Sequence, residues 1–129
     1  MTGVVLDSSA LLALILDEPG AEVVQAVLAE SVICTVNLSE VIAYAARNGV
    51  AEDDIHRLLA PMPLERAPFD EDLAYAAGLL APMTRLAGLS FGDRACLALA
   101  AKLARPTLTA DRAWTSVAGA AGVEVRLIR

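Results

Sequence analysis

The sequence predicts an α/β domain in which helices pack on a mostly parallel β-sheet, and two observations support this fold class. The first is an apolar run, residues 4–6, that ends abruptly at Asp7 and is followed by a longer apolar run, residues 10–16. This pattern is typical of a buried strand that passes directly into a helix. The second is that the same order recurs at residues 31–36 and 38–48. Alternating strands and helices are typical of parallel sheets.

Breaks in the hydrophobic pattern place the ends of the other elements. Helices end where glycine or proline interrupts the pattern, as at 17–20, 48–49 and 61–63, and Pro82 ends or kinks a further helix. We therefore predict helices at 8–17, 21–30, 38–48 (opened by Asn37), 51–60, 71–81, 91–104 and 112–117, a turn at 119–122, and strands at 4–6, 31–36, 64–67, 107–110 and 123–128. No repeat or linker divides the chain, so we expect one domain, 1–129.

Composition limits the compartment and the partners. The longest apolar runs have about seven residues, far fewer than the roughly 20 of a membrane span, and no basic segment precedes the first run. We therefore expect a cytoplasmic protein that does not enter a membrane. Cys34 and Cys96 lie in apolar segments, which predicts small buried side chains and no disulfide or zinc site. The net charge of −6 by itself disfavours a nucleic-acid partner.

Four acidic residues stand at or near the starts of predicted helices. Asp7 and Asp111 directly follow strands, and each has the position of a helix N-cap. Glu40 and Asp93 stand three residues after Asn37 and Ser90 respectively, which is the spacing of a capping box. Capping therefore explains each acid when it is considered alone.

Together, the four acids predict a metal site. Helices that follow parallel strands begin at the same edge of the sheet, so the four carboxylates are expected to converge there. Like charges about 4 Å apart repel by on the order of 4 kcal/mol at an effective dielectric constant near 20, so such a cluster needs a cation or raised pKa values. Oxygen ligands without His or Cys favour Mg²⁺ or Mn²⁺. A bound cation would also weaken the argument against a nucleic-acid partner.

The segments around these acids carry a family resemblance. Val4–Leu11, Asn37–Val41, Leu89–Ala95 and Leu108–Trp114 resemble the four acidic motifs of PIN-domain ribonucleases, in order and along the whole chain. The similarity is strongest to the VapC toxins of bacterial toxin–antitoxin pairs.

This resemblance implies a three-layer α/β/α fold and a metal-dependent endoribonuclease that a cognate antitoxin neutralises. Carried over by position, Asp7, Glu40, Asp93 and Asp111 would be the catalytic acids that hold one or two Mg²⁺ or Mn²⁺ ions. The resemblance also implies RNA as the substrate and a homodimer as the oligomeric state. Hydroxyl side chains often stand beside the acids in this family, which assigns a supporting role to Ser9 and Thr109.

Four further side chains are candidates for contact with RNA. Arg94 and Arg112 each follow a motif acid directly, and Arg47 and Tyr44 share a helical face with Glu40. Arginine suits phosphate recognition, and tyrosine suits base stacking. The structural alternatives are solvated ion pairs for the arginines and a core or dimer contact for the tyrosine.

Two other functions remain open at this stage. A catalytically silent PIN-like binding module would use the acids only as helix caps, and a housekeeping RNA-processing nuclease would share the motifs of a toxin. The chain contains neither the G-x-x-x-x-G-K nor the G-x-G-x-x-G pattern, which argues against a P-loop or dinucleotide-binding fold.

Overall fold

The structure is a computed structural model that describes residues 3–129, and its centre is a five-stranded, all-parallel sheet. The strand order is β3-β2-β1-β4-β5, so β1 lies in the middle between β2 and β4. Val5 pairs with Val32 on one side, and Leu6 pairs with Leu108 on the other. The strands are β1 Val4–Leu6, β2 Ser31–Cys34, β3 Glu65–Ala67, β4 Thr107–Thr109 and β5 Val125–Leu127.

Helices cover both faces of the sheet. The α-helices are α1 Ser8–Leu16, α2 Ala21–Val27, α3 Thr35–Arg47, α4 Glu52–Leu59, α5 Glu71–Leu79, α6 Ala81–Thr84, α7 Phe91–Leu103 and α8 Ala118–Ala121, and 3₁₀ turns span Leu28–Glu30 and Arg112–Ser116. In residues 3–129 no helix is both long enough and apolar enough to cross a membrane.

Alternation along the strands produces two separate cores. Val4 and Leu6 of β1 belong to a cluster with buried side chains of α1 to α4, whereas Val5 belongs to a cluster with α5, α7 and Trp114. Successive side chains of a strand point to opposite faces, which accounts for this division. The predicted α/β/α arrangement is therefore confirmed.

Helix α7 is the most deeply buried helix of the fold. Every side chain from Ala95 to Ala100 is 3% exposed or less. This segment is rich in alanine, and small side chains allow a helix to lie close to a sheet. Cys96 is part of it, and Cys34 is buried at the end of β2; both are free thiols, as the sequence predicts.

The main local difference from the sequence prediction is at the start of α3. We predicted that Asn37 opens this helix, but the helix begins at Thr35 and its N-cap is Cys34. The pair Thr35 and Val36 suggested strand because both are β-branched, yet Val36 packs against the second core and the Thr35 hydroxyl accepts a hydrogen bond from the Phe69 amide. Tertiary contacts therefore override local propensity here.

Other element boundaries differ by a few residues. The predicted helix 71–81 is interrupted after Leu79, and Pro82 lies in the first turn of the separate helix α6, where a missing N–H costs nothing. The predicted turn 119–122 is instead the short helix α8, which ends at Gly122 with φ 69°. The predicted helix 21–30 is α-helical only as far as Val27.

The predicted capping box at the start of α7 is confirmed. The Ser90 hydroxyl accepts a hydrogen bond from the Asp93 amide at 3.2 Å, and the Asp93 carboxylate accepts one from the Ser90 amide at 2.9 Å. These two bonds satisfy backbone donors that the helix itself leaves free.

We expect Ser90→Ala to lower the free energy of unfolding by about 1 kcal/mol because the helix loses its cap. Urea denaturation followed by circular dichroism measures the change. Ser39→Ala is the matched control, since Ser39 is exposed within α3 and alanine has the higher helix propensity. An equal loss in both variants would contradict a capping role for Ser90.

Candidate functional site

The strand order brings the four predicted acids to one edge of the sheet. Asp7 directly follows the central strand β1, Glu40 lies in the helix that follows β2, and Asp111 lies two residues after β4. Asp93 occupies the first turn of α7. The charge of Asp93 acts on Asp7, and those of Glu40 and Asp111 act on Asp93, so the four carboxylates form one electrostatic cluster.

Asp7 is the buried member of this cluster, with only 3% of its surface exposed. Its Oδ2 atom accepts hydrogen bonds from the hydroxyls of Ser9 at 2.6 Å and Thr109 at 2.9 Å. Its Oδ1 atom is buried and has no hydrogen-bond partner among the described residues. A buried, unpartnered carboxylate oxygen is unfavourable unless something else binds it.

Ser9 and Thr109 also connect the ends of β1 and β4. The Ser9 hydroxyl accepts a hydrogen bond from the Ala110 amide at 2.9 Å, and the Thr109 hydroxyl accepts one from the Asp111 amide at 3.1 Å. Both hydroxyls therefore hold the Asp7 carboxylate and the backbone that leads to Asp111. The structure places them beside the acids, where the family resemblance expected them.

Glu40 lies against the start of α7. Its Oε1 atom accepts a hydrogen bond from the Asn37 side chain at 3.0 Å, and its carboxylate covers the backbone of Gly92 so closely that a Cβ there would lie 2.6 Å from the carboxylate carbon. Sequence reasoning assigned Asn37 only a capping role and did not mention Gly92 as a site residue. The Asn-x-x-Glu spacing contained the signal, but the same spacing also describes a capping box.

Asp93 and Asp111 cap helical turns, as their positions in the sequence suggested. Asp93 is half-buried in the capping box of α7, and the exposed Asp111 accepts a hydrogen bond from the Ala113 amide at 2.9 Å. Each of the four acids thus uses one oxygen for protein donors. No hydrogen bond from residues 3–129 reaches the second oxygen of any of them.

Burial and mutual repulsion raise the pKa values of two acids. Desolvation raises the pKa of Asp7 from 3.8 to about 6; hydrogen bonds from Ser9 and Thr109 oppose this shift, and the charges of Asp93 and Glu40 add to it. Desolvation is also the main cause that raises the pKa of Asp93, and nearby Asp111 and Glu40 contribute. The cluster therefore carries unfavourable negative charge that a cation could neutralise.

The chemistry of these groups fits a hard divalent cation, although the side chains do not form a finished cage. Within residues 3–129 no three His, Cys, Asp or Glu side chains are grouped closely enough to hold a metal ion as they stand. In favour of a cation are the all-oxygen donor set, the free second oxygen of each acid and the unpartnered Oδ1 of Asp7. Asp111, Asp93 and Glu40 are not fully buried, so a cation could reach them from solvent.

The four predicted RNA contacts have different surroundings. Arg112 is exposed directly after Asp111, and Arg47 is exposed at the end of α3, about 10 Å along the helix axis from Glu40. Arg94 instead donates a hydrogen bond to the Ala77 carbonyl of α5 at 3.4 Å. Tyr44 is half-buried and lines an apolar cleft between α1, α3 and α4. Of the four, Arg112 is the one that both follows a motif acid directly and is exposed.

We expect Asp7→Asn to stabilise the metal-free protein at pH 7.5 and to have little effect near pH 4. The native pKa of about 6 exceeds the unfolded value of 3.8, so the native state binds more protons between these values and loses stability as pH rises through them. The shift corresponds to at most about 3 kcal/mol. Urea denaturation with EDTA at several pH values measures it. Asp53→Asn, an exposed substitution on α4, is the control, and a pH-independent difference between Asp7→Asn and wild type would contradict the assignment.

Comparison with solved structures identifies the fold. A toxin–antitoxin complex from Klebsiella pneumoniae contains a chain that is 17% identical, with 98% of each chain covered and a TM-score of 0.76. DNA-bound VapBC from Salmonella typhimurium gives 16% identity, complete coverage of both chains and a TM-score of 0.77. VapBC-5 from Mycobacterium tuberculosis gives 24% identity and a TM-score of 0.62, and the match covers 100% of this chain and 99% of the VapBC-5 chain. At identities this low, the structural similarity shows a shared fold and nothing further.

Family membership comes from the sequence itself. Among curated proteins, no sequence matches this chain. The family model of the PIN domain, however, matches residues 4–120, a segment that contains all four acids and the strands β1 to β4. The chain therefore belongs to the PIN domain family.

Proposed function

We propose that this protein is a metal-dependent endoribonuclease that acts as the toxin of a type II toxin–antitoxin pair. The observation that carries the proposal is the convergence of Asp7, Glu40, Asp93 and Asp111, each with one oxygen held by the protein and one oxygen free. PIN domain membership supports nuclease activity. We further propose Mg²⁺ or Mn²⁺ as the cofactor, bound by these four carboxylates.

The chain's own residues have distinct roles in this mechanism. Bound by the acids, a divalent cation would supply a more acidic water for attack on the phosphodiester and would offset charge on the phosphate. Ser9 and Thr109 orient Asp7 through Oδ2, which leaves Oδ1 directed away from protein donors. Asp7 has to be deprotonated to act as a ligand, so metal affinity should fall below pH about 6. We assign contact with a flanking phosphate to Arg112, which is exposed and directly follows Asp111.

Other nucleophiles in the chain do not suit this chemistry. Burial raises the pKa of both thiols, Cys34 and Cys96, which disfavours the reactive thiolate. His56, the single histidine, lies on α4, and its ion-pair partner is Glu52, which is not one of the four clustered acids. An activated water therefore remains the nucleophile that the site supports best.

The toxin assignment rests on the solved structures with the same fold. These structures are of toxin–antitoxin systems, and one of them is bound to DNA. This supports a cognate antitoxin as partner of this chain and the cytoplasm, where RNA and antitoxin occur, as its compartment. An apolar cleft of about 590 Å³ between α3 and α4 offers a surface for such a protein. Its lining includes Ile42 and Val50, which are 38% and 40% exposed.

A homodimer is part of the same proposal. The large apolar side chains Tyr75 and Leu79 of α5 are 67% and 73% exposed, and Leu86 is 96% exposed. Exposed large apolar side chains are typical of interaction surfaces, and none of these three lines the cleft.

A catalytically silent module is the second candidate. It is favoured by the capping bonds of Asp93 and Asp111 and by the absence of a three-acid grouping within residues 3–129. A housekeeping nuclease would share the site and differ in its partners, so the antitoxin experiment below distinguishes it from a toxin.

We expect purified protein to cleave bacterial RNA at discrete positions with Mn²⁺ and to lose this activity with EDTA or after Asp7→Asn. Removing one metal-binding acid should lower the rate by at least about 100-fold. Sequencing of new 5′-phosphate ends measures cleavage. Asp53→Asn, a surface acid outside the cluster, should retain wild-type activity. Identical ends from wild type and Asp7→Asn would support the silent module.

We expect Ile42→Asp to weaken binding of the protein encoded by the adjacent reading frame without reducing RNA cleavage. A carboxylate in the apolar cleft would have to be desolvated when a partner covers it. Co-purification and calorimetry measure binding. Val23→Asp is the matched control, since Val23 is 40% exposed on α2, outside the cleft lining, and Ile42 is 38% exposed. Equal binding by all three proteins would place the antitoxin elsewhere, and no binding partner at all would favour a housekeeping nuclease.

A further inference from the structure

We propose that Asn37 is a positioning residue that holds the Glu40 carboxylate against the first turn of α7, ready to bind the metal ion. This inference rests on the proposed function, because Glu40 matters there as a metal ligand. It adds a role for Asn37, the first residue of the second acidic motif, to which the family resemblance assigned no part in metal binding.

Asn37 bridges two helices from a completely buried position. Its relative exposure is 0%, and its Nδ2 atom donates to Glu40 Oε1 on α3 and to the Gly92 carbonyl on α7, both at 3.0 Å. Both partners are acceptors, so the atom between them has to be the amide NH₂ group. The orientation of the side chain is therefore determined by its chemistry.

This orientation leaves the other end of the amide without a partner. Asn37 Oδ1 is buried and accepts no hydrogen bond from the described residues. A buried acceptor without a donor is unfavourable, so stability alone would favour an apolar side chain of similar size. A capping role does not explain the residue either, because α3 begins at Thr35 and its N-cap is Cys34. The two hydrogen bonds that its NH₂ group donates, to Glu40 and to the Gly92 carbonyl, are the remaining reasons for an asparagine at this position, and the first of them acts on the acid cluster.

Gly92 completes the support from the opposite side. A Cβ at this position would lie 2.6 Å from the Glu40 carboxylate carbon, far inside van der Waals contact. The bare backbone of Gly92 therefore forms the surface on which the carboxylate lies, and Asn37 fixes its Oε1 atom. Since Asp93 is the next residue, the same arrangement sets Glu40 and Asp93 relative to one another.

Loss of this support should act on metal binding through Glu40. A carboxylate that samples several rotamers has to be ordered when the ion binds, and this ordering lowers affinity. We expect Asn37→Ala and Gly92→Ala each to raise the Mn²⁺ dissociation constant roughly tenfold. Asn37→Asp, which keeps the shape but places an acceptor against Glu40, should raise it more. The rate constant kcat should fall, whereas KM for RNA should change little.

Double-mutant cycles distinguish positioning from general damage to the fold. Mn²⁺ titration by calorimetry is carried out on wild type, Asn37→Ala and Gly92→Ala, and on the same changes combined with Glu40→Ala. If both residues act through Glu40, their effects on affinity disappear in the Glu40→Ala background. Asn48→Ala is the matched control, because Asn48 is the exposed residue that directly follows α3 and its side chain donates a single hydrogen bond, to the Tyr44 carbonyl at 2.8 Å.

Each result decides the question. Wild-type affinity in Asn37→Ala, or an equal loss with and without Glu40, overturns the positioning role while the nuclease assignment stands. If Asn37→Ala unfolds, the Mn²⁺ affinity of Gly92→Ala, measured with and without Glu40→Ala, tests the same support of the Glu40 carboxylate. A wild-type protein that binds Mn²⁺ without cleaving RNA refutes the nuclease and leaves the positioning role intact. A wild-type protein that binds no Mn²⁺ overturns both.

Discussion

The parallel pairing of β1 with β2 on one side and β4 on the other is the constraint on which the site depends. It brings the ends of three strands together, and with them a carboxylate after β1, a carboxylate after β4 and the helix that carries Glu40. Apolar side chains pack on both faces of the sheet, exclude water from the paired strands and hold them in place. The fold thereby holds together charges that would otherwise repel one another, and burial, with a smaller contribution from this repulsion, raises the pKa values of Asp7 and Asp93.

Structural and chemical roles of the acids do not exclude one another here. Asp93 and Asp111 satisfy backbone amides through one oxygen, and Glu40 and Asp7 accept side-chain hydrogen bonds in the same one-sided way. A hydrogen bond to one oxygen fixes the plane of a carboxylate and so aims the other oxygen. Helix capping, which the structure shows for Asp93 and Asp111, would thus also orient ligands for the proposed cation.

The sequence was sufficient to predict the parallel sheet, the three layers and the positions of the four acids. The reason is that the change from strand to helix is visible locally, in the hydrophobic pattern of the sequence. It could not predict the role of Asn37, since this role depends on how α3 lies against α7 and brings Gly92, 55 residues away, within hydrogen-bond distance. The direction of Arg94 has the same origin: the position beside a motif acid was visible, but the rotation of α7 that turns the side chain toward α5 was not.

The burial of α7 has a practical consequence for obtaining an inert but intact form of the protein. Asp93 lies in the first turn of α7, and the side chains that follow it in this helix fill the second core. Asp7 is itself buried at the edge of the sheet. Substitution of either acid is therefore expected to affect folding as well. Asp111 is exposed, and its side chain accepts a single hydrogen bond, from the Ala113 amide in the turn that it begins. Among the four acids it is therefore the position where a carboxylate can be removed at the least structural cost, which makes it the preferred substitution for separating the proposed metal site from the stability of the fold.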